Sequence, residues 1–326
     1  MRHPEKENFY RVIRRDDPSH VTYPIPSRGG TYRGAGPADT RPSPETMEWR
    51  DEWGVRWVDK AGEVFPYGPA VDSIEEVEDI PRPDPDRPDR LDDFKETARK
   101  LDREKYVLGC VHRYFLYEKV INILGPEEFG AAMLLAPEKA HRALDIIMEF
   151  ELGIAERFCE VGVDSVCFCD DYGHQDRLAM SPECWREFFK PRLKKAVGFY
   201  RDRLGLQVVV SLHCCGHVMP ILEDFVEVGL DIIDPVQTTA NDHAEMRART
   251  SGTLALCGGI DGQRLLPFAE PEEVRRTVFE KLDLLWENGG YFPAAEKRVG
   301  VPPENFEAMD RAIRDWSRSN VQDGAG

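Results

Sequence analysis

A histidine and a cysteine two positions apart, His213 and Cys215, lie in the segment 211–217, which directly follows the apolar run Val208–Val210. Side chains at positions i and i+2 of a strand point to the same side, so an imidazole and a thiolate can face one point while Cys214 faces away. Zinc is the metal that best matches such a mixed nitrogen and sulfur pair. Two ligands do not complete a site, and the alternative is that His213 forms a hydrogen bond inside a crowded barrel mouth while Cys215 only fills space.

Two carboxylates, Asp170 and Asp171, follow a second apolar run that ends at Cys169. Placing a carboxylate directly after an apolar strand costs free energy unless the group takes part in function or is paired. In a barrel, the residues at the carboxyl ends of the strands meet around the axis. Strand alternation sends only one of the two inward, and we predict Asp171, in acid–base catalysis or substrate anchoring. The alternative is that a carboxylate caps the following loop or pairs with Arg177.

Further polar residues follow the same and neighbouring strands, and we predict that they shape a pocket. They are Tyr172, Gln175, Gln237 and Asp261. Arg28 or Arg113 could hold a substrate carboxylate through a forked pair of hydrogen bonds, unless these arginines form ion pairs with the many acidic residues. The sequence contains no Gly-x-Ser-x-Gly elbow and no Gly-x-Gly-x-x-Gly fingerprint, so serine hydrolase and dinucleotide-binding functions have no support.

The runs that carry these residues alternate with stretches of helical periodicity from about residue 106 onward. Strands are predicted over 106–111, 164–169, 207–213, 231–236, 253–257 and 290–292, with an earlier one at 21–25. A helix is predicted over 137–161, and Ser181-Pro182 begins another that Pro191 should kink. This alternation is typical of a parallel sheet with crossover helices, although seven strands are visible and a closed (β/α)8 barrel needs eight.

Residues 1–100 differ from the rest because they are rich in proline, glycine and charge, with an extended connector at 81–88. Three tryptophans recur every four residues, which predicts either an aromatic helix face or a hairpin: Trp49, Trp53 and Trp57. We expect an N-terminal extension that covers one end of a barrel, or acts as a lid. The barrel body is expected over 101–326, with its first strand within 20–30.

The 326-residue chain carries 43 Lys and Arg against 60 Asp and Glu, a net charge of −17. This balance excludes nucleic-acid binding through bulk charge, because a phosphate backbone needs a clustered cationic surface. No run of 18 apolar residues and no apolar leader is present, so no membrane partner and a cytoplasmic location are expected. Most of the eight cysteines sit in apolar runs and are predicted to be free thiols.

Residues 105–315 contain, in order, several blocks that resemble the uroporphyrinogen decarboxylase superfamily, in its branch of zinc- and corrinoid-dependent methyltransferases. The blocks are 170–176 with 180–183, 188–192, 213–216, 234–237, 258–263, and 289–291 with 301–305. The resemblance implies an α/β fold, a (β/α)8 TIM barrel, and so supplies the missing strand. It also implies methyl transfer between methylcobalamin on a corrinoid protein and a small acceptor, or demethylation of a small methoxy or methylamine compound. A homodimer is a separate expectation.

The resembling methyltransferases hold zinc with a His-x-Cys pair and a later cysteine, and His213 and Cys215 match the pair. No cysteine follows Cys257, and Glu296 stands in the corresponding loop as the candidate third ligand. One alternative is a metal-free decarboxylase or lyase in which Asp171 and Arg28 act. The arginine-rich motif of the decarboxylases proper is absent around residues 27–30, however. Another alternative is a barrel that binds a tetrapyrrole or corrinoid without turnover.

Overall fold

The computed structural model describes residues 4–297 and 299–321. The strands are β1 Ser27–Gly30, β2 Glu48–Arg50, β3 Arg56–Lys60, β4 Glu63–Gly68, β5 Val107–His112, β6 Ser165–Cys169, β7 Val209–His213, β8 Ile232–Asp234, β9 Ala255–Ile260 and β10 Tyr291–Ala295. The α-helices are α1 Glu5–Arg14, α2 Asp92–Lys100, α3 Tyr117–Leu124, α4 Pro126–Leu135, α5 Pro137–Val161, α6 Pro182–Phe188, α7 Lys190–Leu204, α8 Leu222–Val228, α9 His243–Thr250, α10 Leu265–Phe268, α11 Pro271–Leu285 and α12 Pro303–Asn320. Short 3₁₀ helices cover Pro37–Thr40, Ile74–Asp79 and Met219–Ile221.

Seven parallel strands form one sheet in the order β1-β5-β6-β7-β8-β9-β10. Helices connect successive strands, so the α/β barrel-type fold is confirmed, and the six predicted strands from residue 106 onward are all present. Within the described residues β10 and β1 do not pair, and the eighth strand implied by the resemblance is not found. The sheet therefore curls into a barrel that stays open between its two edge strands.

The first strand lies at Ser27–Gly30, and the prediction of a strand at 21–25 was wrong. Pro24 and Pro26 have no backbone N–H to give to a ladder, so pairing with β5 begins only after them, at Ser27. The observed strand still falls within residues 20–30.

Alternation along the strands separates an inner barrel core from an outer core beneath the helices. The inner core joins Val107 and Phe292 to Phe9 and Val12 of α1, and the rings of Phe9 and Phe292 are 5.5 Å apart. Helix α1 therefore fills the amino end of the barrel. The carboxyl ends of the strands, where the polar residues of interest lie, remain free of this plug.

The three tryptophans of the N-terminal region belong to the three-stranded antiparallel sheet β2-β3-β4, so the hairpin alternative is the correct one. Trp49 on β2 stands opposite Trp57 on β3, and Trp53 lies in the turn between them. All three are buried, and the ring of Trp57 is 6.2 Å from that of Tyr114, just beyond β5. This small sheet therefore packs beside the carboxyl end of the barrel.

Helix boundaries follow the predicted signals. Helix α5 spans Pro137–Val161, and the Ser181 hydroxyl accepts a hydrogen bond from the Cys184 N–H at the start of α6. The predicted kink is a break between α6 and α7 at Phe189, two residues before Pro191.

All eight cysteines are free, as predicted. Among the described residues, no helix combines the length and apolarity needed to cross a bilayer.

A buried ionic network joins the barrel to its helices and to the N-terminal region. Glu151 of α5 accepts from Lys119 Nζ at 2.5 Å and lies 2.6 Å from His112 Nδ1, while His112 Nε2 lies 2.7 Å from the hydroxyl of Tyr200. The hydroxyl of Tyr32, from the N-terminal region, donates to Glu151 at 3.2 Å. A charge in this network has no access to water and depends on its partners.

Candidate metal centre

Three predicted residues converge at the carboxyl ends of β6 and β7. One ligand atom of each of Asp171, His213 and Cys215 lies within 4.8 Å of the others, and all three side chains are half-buried. Parallel pairing sets Cys169 beside His213, so the residues that follow each strand emerge at the same level. The juxtaposition therefore follows from sheet register together with the two loops after these strands.

The imidazole ring of His213 is oriented by a carboxyl group on the neighbouring strand. Its Nδ1 lies 2.8 Å from Oδ2 of Asp234, the residue beside it on β8, and its Nε2 lies 3.6 Å from the Cys215 Sγ. A carboxylate on one ring nitrogen that leaves the other free to face a ligand is the usual outer support of a metal-binding histidine. Asp234 thus orients Nε2 toward Cys215.

The loops after β6 and β7 are joined by hydrogen bonds. The Cys215 N–H donates to Asp171 Oδ1 at 2.8 Å, and the His217 N–H donates to the His174 carbonyl at 2.7 Å. Gly216 adopts a left-handed φ of +85°, and a Cβ there would lie 2.4 Å from the Gly173 carbonyl carbon. The absence of a side chain at this position is what lets Asp171 approach Cys215.

We expect Gly216→Ala to separate the two loops and weaken metal binding. The added methyl group must displace the Gly173 backbone, in addition to a left-handed strain of about 1–2 kcal/mol. Gly252→Ala is the matched control, since Gly252 is also left-handed, at φ +73°, but faces open space. Thermal unfolding and zinc titration of both variants would check this, and equal zinc affinities would argue against a role for the loop contact.

Burial and neighbouring polar groups shift the pKa values of side chains at this site. Burial lowers the pKa of His213, but its hydrogen bonds to Asp234 and Cys215 outweigh burial and raise that pKa to about 11. Burial, reinforced by the charges of Asp170 and Asp171, raises the pKa of Glu118 to about 8. Sequence reasoning missed Glu118, although a carboxylate in the first turn of a helix that follows a strand end is a usable signal.

The donor set fits zinc. An imidazole nitrogen, a thiolate and a carboxylate oxygen are all zinc ligands, and a site with three protein ligands keeps a position open for a substrate. The support that Asp234 gives to His213 is a feature of such sites. Asp171, Cys215 and His213 are accordingly the residues that would hold the ion.

Removing the support of His213 is expected to lower zinc affinity about 10–100-fold, as outer-shell changes at metal sites do. Asp234→Ala removes both the charge and the acceptor, whereas Asp234→Asn keeps an oxygen for the Nδ1–H of His213. Zinc dissociation constants, measured by competition with a chromophoric chelator, should rank wild type below Asn and Asn below Ala. An unchanged constant in Asp234→Ala would show that the contact is not a support.

Asp170 and Tyr172 lie outside this group. Asp170 is buried and accepts hydrogen bonds from the N–H groups of Leu116, Tyr117 and Glu118 at 2.9–3.1 Å, so it caps the start of α3 and not, as the alternative had predicted, the loop that follows it. Tyr172, predicted to contact substrate, is fully buried instead, with its ring packed against Trp185. Strand alternation sends both side chains to the outer face.

Glu296 is not one of the three converging residues. Its carboxylate accepts hydrogen bonds from the Thr238 N–H and hydroxyl at 2.7 and 2.6 Å. Arg28 does not lie with Asp171, His213 and Cys215 either. It pairs with Leu108, whose side chain faces outward, so the side chain of Arg28 also faces outward. Its guanidinium lies 4.7 Å from the ring centroid of Tyr106, which precedes β5 and so marks the amino end of the sheet.

The remaining predicted pocket residues support loops at the carboxyl end. Gln237 Oε1 accepts from the Gly216 N–H at 2.8 Å, and Gln175 Nε2 donates to the Thr239 hydroxyl at 2.9 Å. Asp261 Oδ1 accepts from two backbone N–H groups of its own loop. Arg113 follows β5 at the same end, is exposed, and forms no ion pair within the described part of the chain. Of the two predicted arginines, Arg113 is therefore the one at the same end of the sheet as Asp171, His213 and Cys215.

Comparisons with known proteins agree with this architecture. The uroporphyrinogen decarboxylase (URO-D) family matches residues 53–316. Two curated relatives, both methylcobamide:CoM methyltransferase MtaA, come from Methanosarcina barkeri and its strain Fusaro. They are 31% identical over 172 and 166 residues, which cover 52% and 42% of this chain and 46% and 47% of the relatives. The chain thus spans about half the length of the curated relatives it matches.

A solved structure shares the fold over nearly its whole length. It is a methyltransferase from Methanosarcina mazei, 17% identical, with a TM-score of 0.71, covering 96% of this chain and 99% of the other. At this identity the likeness establishes the barrel-type fold alone. The family match spans most of the chain, and the chain therefore belongs to the uroporphyrinogen decarboxylase family.

Proposed function

We propose that this protein is a corrinoid-linked methyltransferase that moves a methyl group from a methylcobamide to the sulfur of a small thiol. The observation that carries the proposal is the convergence of Asp171, His213 and Cys215, with His213 oriented by Asp234. The likeness to the MtaA relatives supports the reaction class. A corrinoid protein that presents the methyl group is the partner this reaction needs.

We propose Asp171, His213 and Cys215 as the zinc ligands. Zinc bound there would lower the pKa of a thiol at the open position, so that the thiolate is available near neutral pH. Asp234 holds the imidazole in the orientation that ligation needs, and the contact between the Cys215 N–H and Asp171 holds the two loops together. Glu296 is disfavoured as a ligand because Thr238 already holds its carboxylate.

The transfer step balances without a further reactant. The acceptor thiol releases its proton to solvent, and a sulfur lone pair then forms a bond to the methyl carbon. The cobalt–carbon bond breaks with its electron pair left on cobalt, so cobalt changes from the +3 to the +1 state and the product is a methyl thioether. No external oxidant or reductant is consumed.

The decarboxylase or lyase alternative has less support. It assigned substrate binding to Arg28, whose guanidinium lies over Tyr106 at the other end of the sheet. The two reactions are separated by their response to chelation. Loss of activity on removal of zinc supports methyl transfer, and activity that survives complete removal supports a metal-free reaction.

The test is an assay of the full chain with methylcobalamin as donor and small thiols as acceptors. We expect about one zinc per chain by elemental analysis and a thiol-dependent change in the corrinoid absorption spectrum as the methyl group leaves. Chelation should abolish this change, and added zinc should restore it. A zinc-loaded protein that transfers no methyl group to any of the thiols would overturn the proposal.

A further inference from the structure

A cavity of about 400 Å³ lies inside the barrel. Its wall is made largely by small residues where a barrel interior is ordinarily filled by bulky ones: Gly109, Ser165, Cys167, Ser211 and Cys257. Its floor includes Phe9 of α1 and Val209. The volume is in the range of small-molecule sites, so the small side chains leave space for a ligand.

The cavity begins directly beneath the proposed metal centre. Ser211 precedes His213 by two residues on β7 and so faces the same side, one layer lower. Asp234 belongs to both regions, since it lines the cavity and bonds to His213 Nδ1. A molecule whose sulfur lies at the metal can therefore extend its other end into the barrel, while a corrinoid, which is larger than the cavity, approaches from the solvent side.

The cavity lining contains one cationic residue, and strand alternation directs its side chain away from the barrel interior. The two charged lining residues are Arg28 and Asp234. The Arg28 guanidinium lies over the ring of Tyr106, which is not one of the cavity-lining residues, and the Asp234 carboxyl group is engaged by His213. The hydroxyl groups of Ser27 and Ser165 form no side-chain hydrogen bond within the described part of the chain and are neutral donors and acceptors. An uncharged polar group fits this lining, and a sulfonate or carboxylate does not.

We propose that the barrel cavity binds the body of the methyl acceptor, and that the acceptor is a small neutral thiol with a hydroxyl, ether or amide group, not an anionic one such as coenzyme M. This inference rests on the proposed function for the identity of the reacting sulfur. It deepens that function by assigning the substrate class from the chemistry of the cavity.

The test compares two thiols that differ only at the far end, 2-mercaptoethanol and 2-mercaptoethanesulfonate, with methylcobalamin and zinc-loaded full-length protein. We expect kcat/KM to be at least about tenfold higher for the neutral thiol, because an anion in the cavity would lose its hydration without gaining a counter-charge. Calorimetric binding of the two methyl thioether products should show the same order. That binding measurement needs no turnover, so it tests the inference even if methyl transfer fails.

A cavity-filling variant tests the location. Cys167→Leu should raise KM for the neutral thiol about tenfold by occupying the space, with zinc content unchanged. Cys184→Leu, a change of the same type on helix α6 and outside the cavity lining, should leave KM unchanged. Preference for the sulfonate that disappears in Arg113→Ala would overturn the inference, because it would place an anionic acceptor at the barrel mouth. Equal binding of both thioethers would also overturn it.

Discussion

Changing Asp171 to asparagine is expected to lower the zinc affinity of the protein by about 100-fold or more, a loss at least as large as removing an outer-shell support. Asparagine keeps an oxygen that can accept the hydrogen bond from the Cys215 N–H, so the loop contact survives. What it loses is the negative charge of a ligand in a group whose atoms lie within 4.8 Å of one another. The change therefore isolates ligation from loop structure.

Glu296→Gln is the matched control for this prediction. Glutamine can still accept the hydrogen bonds from Thr238, and we expect zinc affinity within about twofold of wild type, since the change leaves all three proposed ligands intact. Both constants would be measured by competition with a chromophoric chelator at fixed pH. If Glu296→Gln lost zinc and Asp171→Asn retained it, the third ligand would be Glu296 and the loop after β10 would have to rearrange on metal binding.

Asp171 converges with His213 and Cys215, whereas Glu296 does not. This difference shows how far the positions of strand ends can be used to predict a site. His213 ends β7 and Cys215 lies two residues further along the same segment, so a continuation of the strand alternation predicts that both side chains face one side. Asp171 comes from the neighbouring strand, and parallel register places it at the same level. Glu296 also follows a strand, but its partner Thr238 follows β8, and no local pattern in the sequence indicates that pairing.

The first strand shows a limit of a different kind. The apolar character of residues 21–25 favours a strand, but Pro24 and Pro26 remove the N–H groups that pairing needs, and the strand begins at Ser27. The resulting register turns Arg28 to the outer face, away from the candidate site. A one-residue change in register reverses the face of every side chain, so a site residue on such a strand cannot be assigned from sequence alone.

Glu118 was missed for a further reason. Its position beside Asp171 and His213 depends on Asp170, which caps helix α3 by accepting N–H groups from Leu116, Tyr117 and Glu118 itself. The cap is a contact between residues more than 50 positions apart. Periodicity and spacing identify elements and strand ends, whereas the loops between them are placed by such long-range hydrogen bonds.

Replacing Glu151 by glutamine is expected to destabilise the protein by about 3–5 kcal/mol, which is the cost of removing one partner from a buried ion pair. Burial alone would raise the pKa of Glu151, but the nearby charge of Lys119 and the hydrogen bond to His112 lower it below its usual value. The carboxylate is therefore ionised in the folded protein. Without it, the Lys119 ammonium, only 6% exposed, loses the carboxylate with which it is paired.

Urea unfolding of the variant would measure this loss, with Glu149→Gln on the same helix as the control. Glu149 is exposed and lies 3.6 Å from Arg142, so its change should cost less than about 1 kcal/mol. The double change Lys119→Met with Glu151→Gln removes the unpaired charge and should recover part of the stability. If the single Glu151→Gln variant were as stable as the control, the network would not be what joins the N-terminal region, through Tyr32, to helix α5.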